Sequence, residues 1–421
     1  TKNINDALRA LKQGDTKEAK AIFAKVAATN EAAGQHYDKK AAEAYRHLGA
    51  LAYMNDTEGA LAAYRKAVEL EPNNAVGWTQ LGNLLYRTGE LAQAEEAFHK
   101  VLTLAEAHQN KTEQAAALGN LGNVYYTRGN LNKAEAMHCK SLELDKYLAN
   151  KKGMAISYGN LGIVYYTRGN VDQAEEMYQK ALDLNKALGR KEGMARDYGN
   201  LGLVYDTRGD QDKAEEMLRK ALYLNKALGS QEGIAANYSN LGIVYKTRGD
   251  LDKAEQMYQK ALKLAKALGS KQGMAIQYGN LGIVYRTRGE LDQAEEMYQK
   301  ALDLNKALGR KEGMAADYTN LGNVYCKHGE LGFGRAEEMY WKALELHEAL
   351  GNKADMAVDY TNLGSLYKQR GNLDQAKAFW KQSLSLYQEM GHPDTKKIQQ
   401  WLDYLARERA KQQTPPAASP R

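Results

Sequence analysis

The chain has 421 residues, 43% of them hydrophobic and 26% charged, and its 58 Lys and Arg nearly balance 52 Asp and Glu for a formal charge of +6. Length alone allows two or three ordinary domains. However, the charges are interspersed with no basic arm or membrane-surface patch, and the apolar runs are too short for a transmembrane helix. Two distant cysteines, Cys139 and Cys326, exclude a disulfide framework and suit a reducing, cytoplasmic setting, while eight histidines without ligand spacing exclude a metal cluster.

The chain opens at Thr1 with no apolar leader, so a signal peptide is expected to be absent or already removed. No proline lies between Pro72 and Pro393, which permits long uninterrupted helical packing. Self-similarity then organises the whole chain. A faint unit at Gly14, Ala19 and Phe23 is followed by clearer ones at His47–Tyr64 and Trp78–Phe98. From Asn120 the string NLG returns at Asn160, Asn200, Asn240, Asn280 and Asn320, each 40 residues on, and again at Asn362, displaced by two. Residues 155–194 and 275–314 differ only at Ser157/Gln277, Tyr166/Arg286, Asn170/Glu290 and Val171/Leu291. Ten repeats are expected, near 1–34, 40–73, 74–110, 114–153, 154–193, 194–233, 234–273, 274–313, 314–354 and 355–392.

Each repeat reads as two antiparallel helices, an all-α solenoid. Over 155–194 the spacing predicts one helix at roughly 155–168 and a second at roughly 172–188. Gly169 is placed to end the first in a left-handed cap, Asp172 and Glu175 make a capping-box-like start for the second, and Gly189 closes it. Tyr158, Leu161, Gly162, Tyr165, Ala174, Tyr178 and Ala181 form the packing set, with Gly162 and Ala174 letting the helices approach. The insertion Gly332-Phe333-Gly334-Arg335 is expected to make a bulged turn, with an exposed Phe333 as a second candidate contact. Gly391 and Pro393 stop the last repeat, residues 393–413 place Ile398, Trp401, Leu402 and Leu405 on one face of a capping helix, and 414–421 are expected to be a disordered tail.

Trp78, Leu81, Gly82 and Leu85, followed by Ala94 and Phe98, match a W-x2-L-G-x2-Y then A-x3-F pattern, as do Tyr158, Leu161, Gly162, Tyr165, Ala174 and Tyr178. These residues resemble the tetratricopeptide repeat family over nearly the whole chain. The 40-residue length, rather than 34, is similar to the repeats of Pins/LGN-type scaffolds, kinesin light chains and bacterial signalling regulators. The resemblance implies a right-handed superhelix over 1–392, about ten helix pairs with first helices lining the concave wall, and a non-catalytic scaffold that binds protein or peptide.

With the NLG asparagine as position six, positions two, six, nine and thirteen share one face of the first helix, which the resemblance makes the concave one. Position six is then an amide ladder of Asn120, Asn160, Asn200, Asn240, Asn280, Asn320 and Asn362. An amide both donates and accepts, as a peptide unit does, so the ladder suits an extended backbone, with Ile163, Leu203, Ile243 and Ile283 at position nine taking side chains. Kinesin light chains and bacterial peptide-sensing regulators, which this arrangement resembles, clamp ligand backbones with asparagines, and that places Asn160, Asn200, Asn240 and Asn280 foremost. The other reading keeps these amides for bonds between neighbouring repeats. On and beside this face Arg46, Arg87, Arg196, Lys246, Arg286, Lys327 and Lys368 outnumber Glu43 and Asp206, so the preferred segment is acidic. Position twelve varies most (Tyr126, Tyr166, Asp206, Lys246, Arg286, Cys326, Lys368), either by partner selection or by drift.

The arginine column Arg128, Arg168, Arg208, Arg248 and Arg288 lies in the last turn of each first helix and is assigned to helix capping. No unique carboxylate pair marks acid–base chemistry, and the glycines of YGNLGIVY lie within a helix rather than in a phosphate loop. The expectation is therefore no enzyme, no cofactor and no nucleic acid. Self-assembly, or service as the peptide-sensing module of a larger signalling protein, are the rival roles.

Overall fold

Glycine punctuates the helices as its conformational freedom requires: Gly169 and Gly289 take φ of 79° and 84°, the left-handed region open to a residue without Cβ. Their amides turn back to the carbonyls of Tyr166 and Arg286 at 2.9 and 3.2 Å. A computed structural model describes residues 3–32 and 38–413, and the expected tail at 414–421 lies outside them. Two compact halves, Thr1–Asp210 and Gln211–Arg421, divide the chain.

The first half holds α1 (Ile4–Lys12), α2 (Thr16–Ala32), α3 (Asp38–Ala52), α4 (Thr57–Leu70), α5 (Ala75–Thr88) and α6 (Leu91–Ala107). It continues through α7 (Lys111–Thr127), α8 (Leu131–Tyr147), α9 (Lys151–Thr167), α10 (Val171–Ala187) and α11 (Lys191–Thr207). The second half holds α12 (Gln211–Leu228), α13 (Gln231–Arg248), α14 (Leu251–Ala267), α15 (Lys271–Arg288) and α16 (Leu291–Ala307). After α17 (Lys311–Lys327) come α18 (Phe333–Leu350), α19 (Lys353–Gln369), α20 (Leu373–Glu389) and α21 (Thr395–Gln413). No strand occurs among the described residues. Each helix packs on its chain neighbours within its half, a solenoid arrangement.

One seat repeats inside the pairs. The glycine of the first helix lies under an aromatic ring of the second, so closely that a Cβ on Gly162, Gly282 or Gly322 would stand 2.5, 2.7 or 2.6 Å from Tyr178, Tyr298 or Tyr340. Around each seat Leu161, Val164, Ala174 and their copies are buried. The tyrosines of the A-x3-Y motif therefore fill their own pair rather than the gap between repeats.

Two helix starts differ from expectation. The first helix of the fifth repeat begins at Lys151, not near 155, because the Asn150 side chain accepts the Gly153 amide at 3.1 Å and secures another turn. The second begins at Val171 with Asn170 as N-cap and no side-chain cap bond, so Asp172 and Glu175 form no capping box. Their three-residue spacing stacks both carboxylates on one face, and both accept instead from Arg208, the C-cap of α11.

That pairing is general and corrects the capping role given to the arginine column. Arg248 reaches Asp212 and Glu215 at 2.9 and 3.0 Å, and Arg288 reaches Asp252 and Glu255 at 2.6 Å each. Arg128 and Arg168 pair with Glu95 and Glu135. Tyr165 and Tyr285 donate to the same carboxylates, Glu135 and Glu255, at 2.8 Å. Burial, and then the Glu255 carboxylate, push the Tyr285 hydroxyl up to about 12, which keeps it a donor through neutral pH. Since these pairs are part-exposed, Arg248→Ala is expected to cost only about 0.5–1 kcal/mol. Urea melts at low and at molar salt test this, because screening should shrink the loss.

A 3-10 turn, Gly329–Leu331, precedes the insertion, in which Gly332 is the N-cap and Phe333, Gly334 and Arg335 open α18 rather than form a bulged turn. Phe333 is half-buried against the cluster of Tyr340, Leu344, Leu363 and Leu366, whereas Leu331 is the exposed residue of the turn. At the C-terminal end α21 covers α20 as expected, burying Ile398, Leu402 and Leu405 and setting the Trp401 ring 5.1 Å from that of Trp380.

Candidate functional site

The ladder asparagines Asn120, Asn160, Asn200, Asn240, Asn280, Asn320 and Asn362 are all half-buried, each on the first helix of its pair. They are neither sealed between repeats nor fully exposed. Among the described residues Asn160 alone of the ladder has a bond of the interrepeat kind, a 3.4 Å contact from its Nδ2 to Asn123 Oδ1. The Nδ2 of Asn200 is enclosed with no hydrogen-bond partner. Ile163, Leu203, Ile243 and Ile283 are half-buried beside them, and their carbonyls accept the hydroxyls of Thr167, Thr207, Thr247 and Thr287 at 2.7–3.0 Å. Those threonines are thereby occupied. In the first half the hydroxyls of Thr127, Thr167 and Thr207 also meet Tyr86, Tyr126 and Tyr166 at 2.8–3.0 Å. Tyrosine at position twelve there joins adjacent repeats.

The cations divide. Arg46 pairs with Glu71 at 2.8 Å, Arg87 lies 3.9 Å over the Tyr53 ring, and Lys368 lies 5.1 Å over that of Tyr404. Arg196 is exposed yet 3.6 Å from the buried carboxylate of Asp197. Among the described residues no carboxylate pairs with Lys246, Arg286 or Lys327. The positive skew read from composition is thus partly neutralised in the first half and retained in the second.

A further set of polar residues escaped the sequence reading. Asn185 donates to Asp197 at 2.6 Å, Asn225 to Asn237 at 2.7 Å and Asn305 to Asp317 at 2.8 Å, while His347 meets Asp359 at 2.6 Å. Each pair joins a second helix to the next first helix beneath the ladder. Burial, opposed by the Asn305 bond and the Arg310 charge, raises Asp317 to about 7. The visible signal is a recurrent polar pair twelve residues apart, a spacing with no meaning inside one helix.

Between α7 and α9 the face opens into a cleft of about 370 Å³. Asn120, Asn123 and Asn160 line it from the ladder side, and Ser141, Asp145 and Ser157 from within. Elsewhere the described residues hold no group of His, Cys, Asp and Glu placed to bind a metal, and no described helix is long and apolar enough to cross a membrane.

A sequence model of the tetratricopeptide repeat matches residues 74–146, 153–227, 233–307, 273–332 and 314–389, and a second TPR-repeat model matches 50–89. No curated protein matches the chain by sequence. Among solved structures, a Rap protein complexed with competence and sporulation factor is similar with a TM-score of 0.58 at 16% identity, over 85% of this chain and 99% of that one. The apo quorum sensor NprR from B. thuringiensis has a TM-score of 0.59 at 15% identity, over 91% and 97%. The STAND signal-transduction ATPase with a tetratricopeptide repeat sensor from Pyrococcus horikoshii has a TM-score of 0.60 at 18% identity, over 86% of this chain and 54% of that protein. At these identities the likeness is one of fold.

Proposed function

The chain belongs to the tetratricopeptide-repeat family, and from that premise we propose that it is a non-catalytic scaffold holding an extended, acidic peptide segment of a partner protein along the first-helix face. The observation that carries this reading is the half-buried amide column, two of whose members, Asn120 and Asn160, stand at the lip of an open cleft. A half-buried carboxamide keeps hydrogen-bonding capacity toward a ligand while its stem is held by the helix beside it. Ile163, Leu203, Ile243 and Ile283 supply apolar surface between the amides. Lys246, Arg286 and Lys327 supply positive charge without internal carboxylates, which favours encounter with acidic segments. The two cysteines, both unpaired, suit a cytoplasmic place of work.

The test is affinity capture with the intact chain beside a variant carrying Asn160, Asn200, Asn240 and Asn280 all changed to Ala. Four lost bonds of about 0.5–1.5 kcal/mol each should lower capture of the intact chain's partners by more than about tenfold, with helicity and melting temperature preserved. Equal recovery by a folded variant defeats the amide clamp.

A further inference from the structure

Because the repeats are near copies, a residue that departs from its counterparts can be judged against them. Around α7, α8 and α9 such departures gather in one place. Ser141 stands where the next four repeats have Ala181, Ala221, Ala261 and Ala301. Asp145 stands where they have Asn185, Asn225, Ala265 and Asn305, and Ser157 where they have Asp197, Asn237, Gln277 and Asp317. All three are buried and all three line the 370 Å³ cleft. The exchange carries the acidic group from the first helix to the second and leaves a short hydroxymethyl in its former place, which makes room.

One interval along the same half, the corresponding space is filled. The Arg196 guanidinium lies over Gly159, its Nη2 3.3 Å from where a Cβ would stand. The counterpart of Arg196 at the cleft is Ile156, which is part-exposed at the rim.

Asp145 accepts from Asn150 Nδ2 at 2.7 Å, and the only cation lining the cleft is Lys152, which is exposed. Burial outweighs the Asn150 and Ser157 hydrogen bonds and raises the carboxyl's pKa, so the group lacks counter-charge. A basic side chain entering here meets that carboxylate and the oxygens of three amides. An acidic one meets repulsion. One repeat further, at Arg196, the preference reverses. Packed helix axes lie about 8–10 Å apart and an extended chain advances about 3.3 Å per residue, so the two positions are roughly three residues apart along a bound segment.

We propose that the α7–α9 cleft is a specificity pocket for a lysine or arginine side chain, and that the bound segment presents an acidic residue roughly three positions away to Arg196. This rests on the peptide-binding reading above and adds the identity of two of the ligand's residues.

The test uses an array of randomised nine-residue peptides in which one basic and one acidic residue are fixed at every spacing from adjacent to well separated. It is probed with the full chain, with Asp145→Asn, and with Arg196→Glu. Asp145→Asn removes the carboxylate and gives the position the residue that the next repeat has, Asn185. Circular dichroism and melting confirm folding of all three. The intact chain should retain peptides with the predicted spacing at least fivefold over other spacings. Asp145→Asn should lose the basic preference and keep the acidic one, and Arg196→Glu should do the converse. Acidic selection without a basic position, or a basic preference unchanged in Asp145→Asn, overturns the pocket and leaves the peptide-binding reading standing. Retention of no peptide by the intact chain overturns both.

Discussion

Trp380→Ala is expected to remove about 3–5 kcal/mol of stability, and to remove it locally. The indole is 2% exposed, sits on Gly364 in the position that Tyr258, Tyr298 and Tyr340 take in the three preceding repeats, and donates its Nε1–H to the Thr361 carbonyl at 3.2 Å. It also carries Trp401, through which α21 is held, in a cluster with Ile398, Leu402 and Leu405. Truncation therefore empties the seat under α20 and loosens the helix that shields the last pair from water. In a solenoid each repeat depends on its neighbours alone, so amide exchange should show α19, α20 and α21 losing protection while α13 to α16 keep theirs. Uniform loss across the second half, or a change below about 1 kcal/mol, contradicts the local-seat account.

Asp317→Asn is expected to stabilise the chain at pH 8 and to do little below pH 4. The Asp317 carboxyl is buried, and its pKa rises from 3.8 to about 7 because desolvation outweighs the Asn305 bond and the Arg310 charge. Between those two values the folded state binds more protons than the unfolded one, so stability falls as pH rises through the window and levels off above 7. Three pH units at about 1.4 kcal/mol each set an upper bound of about 4 kcal/mol on the cost, and a gain of about 2–4 kcal/mol is expected when an amide replaces the acid. The fold already contains the product of this exchange, since Asn225 and Asn237 pair at 2.7 Å in the equivalent place. Urea midpoints of both proteins at pH 8 and pH 4 decide the matter. A variant that is weaker at pH 8, or whose advantage does not shrink on acidification, shows that the carboxylate is better served than its burial implies.

The parts legible in the sequence were those whose cause lies within one helix pair. Gly169 ends a helix because its own φ is positive, and Gly162 seats Tyr178 because both belong to a single hairpin. The amide column was legible for the same reason, as one face of one helix copied many times. What was misjudged depends on partners in the next repeat. The arginines after each first helix look like caps until Arg248 is found on Asp212 and Glu215, 36 and 33 residues upstream. Asp172 and Glu175 look like a capping box until Arg208 claims them. Charge counting along the face treated Arg46 as available, though Glu71 neutralises it, and could not see that the exposed Arg196 stands 3.6 Å from Asp197.

By itself the sequence determined the period, the helix pair and the stacking, because a 40-residue copy with its glycines and aromatics in register has one way to bury its apolar stripe. Only the tertiary structure decided which polar groups are consumed in joining repeats and which face solvent. That choice turns on contacts between side chains of different helices: Asn185 bonds to Asp197 and Arg196 lies over Gly159, where their counterparts Asp145, Ser157 and Ile156 line an open cleft.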